Sequence, residues 1–134
     1  MKEETTQIHQ QIKENLLDSA SKLGKALADS EPYQRFVKAR DNFRTNQVAK
    51  DASIEYNTVL RDYQMKANYG ALTPEDEKIL EEARSKAMSN EVLREFYESQ
   101  QNLIAYYQEV NSYISEKLNF NFGGLAKPAS GCCG

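Results

Sequence analysis

An all-α fold of about five helices is predicted by three observations. Apolar residues recur at helical spacing through most of the chain, the breaks between runs carry helix-start residues, and no run is left over to form a strand. The long first and last helices are expected to pair antiparallel as a coiled-coil-like hairpin, with short helices between them and a non-helical C-terminal tail. Residues 1–118 would form one helical domain, and 119–134 a flexible tail containing glycine and cysteine.

The first helix is expected over residues 4–28, where Ile8, Ile12, Leu16, Ala20, Leu23 and Leu27 share a face. Glu3 and Glu4 at its start and Lys22 and Lys25 near its end suit the helix dipole. Asp29-Ser30-Glu31-Pro32 interrupts it, since Ser or Asp can cap a new helix and proline fits a first turn. The second helix then presents Tyr33, Phe36, Val37, Arg40 and Phe43. A weak polar break at Thr45-Asn46-Gln47 leaves it nearly continuous with the third, whose inward residues are Ala52, Tyr56, Val59, Leu60, Tyr63 and Ala67.

Gly70 suits the left-handed residue that closes a helix. Thr73-Pro74-Glu75-Asp76 marks the clearest boundary, with a capping threonine, a proline at the first helical position and acids in the first turn. The fourth helix turns Ile79, Leu80, Ala83 and Ala87 inward, and Ser89-Asn90 caps the fifth. That helix spans residues 91–118 with Phe96, Gln100, Leu103, Tyr107, Val110, Ile114 and Lys117 or Leu118 at nearly heptad spacing. At 1.5 Å per residue it is roughly 40 Å long. Such length leaves apolar and aromatic surface for another chain, so a homo-oligomer is expected, most simply a two-fold dimer. Beyond Leu118 the helical period stops, and Phe120, Phe122 and Leu125 are candidates to dock back or into a partner.

Composition narrows the function. The chain has 134 residues, 17 Lys+Arg against 20 Asp+Glu, and a net charge of -3, which gives no electrostatic reason for direct binding to nucleic acid or anionic lipid. A local excess of Arg35, Lys38, Arg40, Arg44 and Lys50 is scattered around the second helix rather than aligned. No segment has the length of a membrane span, and Met1-Lys2-Glu3-Glu4 is too polar for a signal peptide. A cytoplasmic protein with reduced thiols is expected.

The chemistry-bearing residues lie at the end. Both cysteines, Cys132 and Cys133, stand between Gly131 and Gly134. Adjacent Cα atoms sit near 3.8 Å, below the usual disulfide range of about 4.4 Å upward, so a bridge between them would be strained. Metal or cluster ligation suits two thiolates with glycine on either side, but two are half of a four-thiolate site. The other ligands would come from a second copy or a different protein, and the isolated chain is expected to hold none. A thiol-based redox or metal-handling activity is the alternative. It calls for a lowered thiol pKa, and only Lys127 is close in sequence. A prenylation box would need cysteine at 131, which is glycine. His9, alone in the first helix, reads as a surface residue, Gly123-Gly124 lacks the context of a phosphate loop, and the carboxylate runs read as solvated faces. No catalytic residue is identified.

The order of several short elements carries a resemblance. These are Leu23-Gly24-Lys25-Ala26-Leu27-Ala28, then Ser30-Glu31-Pro32-Tyr33 with Phe36 and Ala39, then Tyr56, Tyr63 and Gly70. Leu72-Thr73-Pro74-Glu75, Asn90-Glu91-Val92 and the helix through Phe96, Leu103 and Ile114 complete it. In this the chain resembles, over roughly residues 12–118, the YlbF/YmcA family of small helical bacterial regulators, which includes YheA-like proteins. The resemblance implies antiparallel long helices, self-association and a non-catalytic role. It further implies heteromeric partners of the same family or a nuclease complex, in which RNase Y and mRNA maturation are modulated, with effects on competence, sporulation and biofilm formation. It implies a link to an iron-sulfur cluster shared between chains, which Cys132 and Cys133 alone could serve here.

Overall fold

The computed structural model describes residues 1–126. Its elements are α1 (Lys2–Asp29), α2 (Glu31–Thr45), α3 (Gln47–Asn68), α4 (Pro74–Met88), α5 (Glu91–Leu118) and α6 (Phe122–Ala126). The fold is all-α, with five main helices, and no strand occurs among the described residues.

Local chemistry sets the boundaries. Ser30 stands extended between α1 and α2, with Pro32 in the first turn of α2. Its hydroxyl donates back to the Leu27 carbonyl at 2.6 Å instead of capping α2. The break between α2 and α3 is the single residue Asn46, whose Oδ1 accepts the Ala49 N–H at 2.9 Å. Gly70 takes a φ of 65° just after α3, a conformation costly for any residue with a Cβ. Thr73 caps α4 through a reciprocal box. Its Oγ1 accepts the Asp76 N–H at 3.3 Å, and its own N–H donates to Asp76 Oδ2 at 2.9 Å. Asn90 caps α5 by accepting the Leu93 N–H at 2.9 Å, and Asn119 ends α5 in the left-handed conformation.

Two helix pairs meet at one joint. α2 packs along α5, and α3 along α4. Ala49 from α3, Ala87 from α4 and Leu93 from α5 are buried together, with Phe43, Tyr56, Val92 and Tyr97 packed around them. Alanines at two of these three positions let the helices approach closely. Farther along α5, Phe96 stacks on Phe43 with ring centroids 4.6 Å apart and reaches Phe36 at 6.0 Å. Ala39, Ser99 and Leu103 are buried in the same pair. Because Phe43 lies at Phe96 whereas Tyr33 lies near Tyr107, α2 runs antiparallel to α5.

The expected long pairing of α1 with α5 is corrected by this arrangement. The antiparallel partner of α5 is α2, and α1 approaches α5 only where Leu23 and Leu27 share a cleft with Tyr107, Val110 and Ile114. The reason is register: α2 takes up α5 as far as Tyr107, and α5 ends at Leu118 soon after α1 begins to run beside it. No residue of α1 is buried.

A second correction concerns the chain after Leu118, expected to be non-helical. Phe122–Ala126 forms a helical turn held on α5 by two side chains. Ser115 Oγ accepts the Phe122 N–H at 3.0 Å, and Asn111 Oδ1 accepts the Gly123 N–H at 2.8 Å. A Cβ at Gly123 would come within 2.8 Å of that Asn111 oxygen, so a larger residue there would make the Asn111 amide shift.

Candidate functional site

Cys132 and Cys133, the candidate cofactor and metal ligands, lie outside the described residues. Among the described residues there is no group of three or more His, Cys, Asp or Glu side chains placed to hold a metal ion. His9 is exposed on α1.

The described residues also build an apolar surface running from α1 into the α1–α5–α6 junction. Ile8, Ile12, Leu16 and Leu23 of α1 are exposed, Leu16 at 65%. Their stripe enters a cleft of about 210 Å³ lined by Leu23, Leu27, Tyr107, Val110, Ile114 and Phe122. Loss of hydration on this face pushes the Tyr107 phenol up, with Tyr33 and Tyr106 nearby acting in the same direction. Tyr107 thus offers an O–H donor at the rim of an apolar cleft, a combination favoured in protein interfaces.

Two other clefts differ in chemistry. Between α2 and α5 lies a groove of about 840 Å³ lined by both signs of charge. Arg35 donates from Nε and a terminal nitrogen to the two Glu95 oxygens at 2.7 and 2.9 Å, and Glu98 lies 3.7 Å from the same guanidinium. This fork holds the Glu95 carboxyl below the usual carboxylate range and raises Arg35. Arg40 in turn pairs with Asp41 at 3.0 Å, so the cations noted along α2 are in part neutralised by local acids. Between α3 and α4 an apolar cleft of about 430 Å³ runs beside Ala52, Ile54, Tyr56, Val59 and Ala83, with the Lys86–Glu55 pair at its rim at 2.7 Å.

The sequence reading missed the residues that fix the joint. Ala49 and Leu93 are wholly buried, yet neither stood among the expected core positions. A signal existed for Leu93, which continues the heptad of Phe96, Gln100 and Leu103 backward by one step. Ala49 had none, because a buried alanine and a solvated one are the same letter.

Comparison with known proteins agrees with this layout. The family described as control of competence regulator ComK, YlbF/YmcA, matches residues 16–119, a span from the middle of α1 to the end of α5. A UPF0342 protein of Staphylococcus saprophyticus is 29% identical over 106 residues, covering 78% of this chain and 93% of its own. A UPF0342 protein of Staphylococcus epidermidis is 28% identical over 108 residues, with 78% and 93% covered. One from Streptococcus thermophilus is 24% identical over 105 residues, with 78% and 94% covered. No solved structure matches the chain. No helix among the described residues is long and apolar enough to cross a membrane. With the family model matching residues 16–119, well over half of its length, the chain belongs to the YlbF/YmcA family of regulators.

Proposed function

We propose that this protein is a non-catalytic, cytoplasmic adaptor that self-associates and engages protein partners, either members of its own family or a nuclease complex. In this reading it modulates RNase Y-dependent mRNA processing, and through it competence, sporulation and biofilm formation. The observation that carries the reading is the family match over residues 16–119 to a competence regulator. Its physical support is the apolar surface from Ile8 to Phe122, which suits protein partners, while the α2 cations Arg35 and Arg40 are paired with carboxylates. Cys132 and Cys133 act in this reading as ligands or partner contacts. Two thiolates make half of an iron-sulfur site, so a cluster would be completed by another chain.

Mapping transcript ends in a strain of the source organism lacking the gene tests the pathway. Precursors of RNase Y targets should accumulate and be processed again when the wild-type gene is restored; unchanged transcript ends would contradict the reading. Anaerobic copurification with partners tests the tail. Changing both cysteines to serine should leave helicity and melting unchanged while iron and sulfide, or partner binding, are lost. Full retention of both would remove the ligand role, and catalytic reduction of a disulfide substrate by the wild-type chain alone would favour the redox alternative.

A further inference from the structure

The accessible surface of the chain is 10781 Å², whereas a compact chain of 15.3 kDa is expected to expose about 7,100 Å². That excess is several times the roughly 800 Å² each partner gives to a stable interface. The exposed Ile8, Ile12, Leu16, Leu17 and Leu23 of α1 contribute to it. From Lys2 to Lys22 this helix reaches about 30 Å without a buried residue and without a neighbouring helix among the described residues other than α2 at its far end.

The pattern on this helix is self-complementary. Ile8, Ile12, Leu16, Ser19, Leu23 and Leu27 follow one another at steps of four, four, three, four and four, a series that reads the same in both directions. Two such stripes laid antiparallel about a two-fold axis between Leu17 and Asp18 place Ile8 opposite Leu27, Ile12 opposite Leu23 and Leu16 opposite Ser19. Every large residue thus meets a large residue, except at the centre, where leucine meets serine and the helices can draw close. The stripe carries no carboxylate, and Asp18 is paired with Lys22 at 3.0 Å away from it.

We infer that α1 is an assembly arm whose occupant is the α1 of a second copy, antiparallel in this register. The arm fits because its apolar stripe runs directly into the cleft at Leu23 and Leu27. There Ile8 of the other copy would seat against Tyr107, Val110 and Ile114 as well, extending the α2–α5 pair into a two-fold helical bundle. This assignment rests on the self-association proposed above and names the surface responsible for it.

The test uses the full chain with Cys132 and Cys133 changed to serine. Ile12→Cys and Leu23→Cys variants are mixed and treated with a short thiol cross-linker. In the inferred register these positions face each other, whereas two copies of either one alone lie about 16 Å apart along the axis. Cross-linking is therefore expected in the mixture and in neither variant alone. In sedimentation, Leu16→Asp should weaken the dimer about 100-fold or more, since the side chain is buried twice per dimer, while the circular dichroism of the dilute protein stays the same. A dimer that survives Leu16→Asp, or one without the 12–23 link, overturns the α1 assignment and leaves self-association standing. A wild-type chain that is monomeric at every concentration overturns both, and would assign the stripe to a different protein.

Discussion

The joint at Leu93 and the arm of α1 are both helical and both carry regularly spaced apolar residues, yet the first is closed and the second open. At the joint, three helices contribute Ala49, Ala87 and Leu93, and small side chains bring the backbones near enough for Leu93 to lose all contact with water. Along α1, larger residues at good spacing remain exposed, because no further helix among the described residues lies against them. Apolar periodicity therefore states that a face wants cover; it does not state whether the cover comes from the same chain.

The sharpest way to break the comparison is at the joint. Leu93→Ala removes a fully buried side chain in a well-packed setting and should cost about 2–5 kcal/mol in urea unfolding. A loss as small as that of a surface substitution would mean that the joint is not the stability centre. At the α3–α4 turn, Thr73→Ala should cost about 1 kcal/mol through the lost cap, measured by thermal melting. The same network gives a pH signature. Lys66, then the Thr73 hydroxyl and N–H, lower the Asp76 carboxyl to about 2 from its ordinary 3.8. The unfolded chain then binds the proton more readily, so this contribution is complete above about pH 4 and is lost as pH falls toward 2. Asp76→Asn should flatten that part of the acid unfolding profile.

The junction between the two regions responds less. Gly123→Ala pushes against Asn111 and should forfeit the N–H bond that seats α6, costing about 0.5–1.5 kcal/mol and speeding proteolytic cleavage after residue 118. Smallest of all is Leu16→Asp at high dilution. On an exposed arm it should change stability by less than about 0.5 kcal/mol.

The contrast also explains what could be read from the letters. Helix starts were legible at Asn90 and in the Thr73–Asp76 box, where a side chain satisfies orphan backbone groups, whereas the Asn46 cap of α3 read only as a weak break. Ser30 shows the limit, since its hydroxyl donates to the Leu27 carbonyl instead of accepting an N–H of α2, and sequence does not say which of the two local partners prevails. The pairing of α5 was misassigned to α1 because both are long and apolar on one face. What decides for α2 is the Arg35 fork on Glu95 and the stack of Phe36, Phe96 and Phe43, contacts between residues some sixty positions apart. The short α6 was missed because its helical turn depends on Asn111 and Ser115, not on its own propensity. At the candidate site, the apolar face of α1 was legible in full, while the α1–α5–α6 cleft required the register of three helices.

The central claim, that α1 is held by another chain and the joint by its own, is tested most directly by amide hydrogen exchange at two protein concentrations. Exchange in α1 from Ile8 to Leu23 should slow markedly when the protein is concentrated, while that around Ala49, Ala87 and Leu93 stays constant. Protection of α1 that is the same at both concentrations, from the monomeric range upward, would contradict the account.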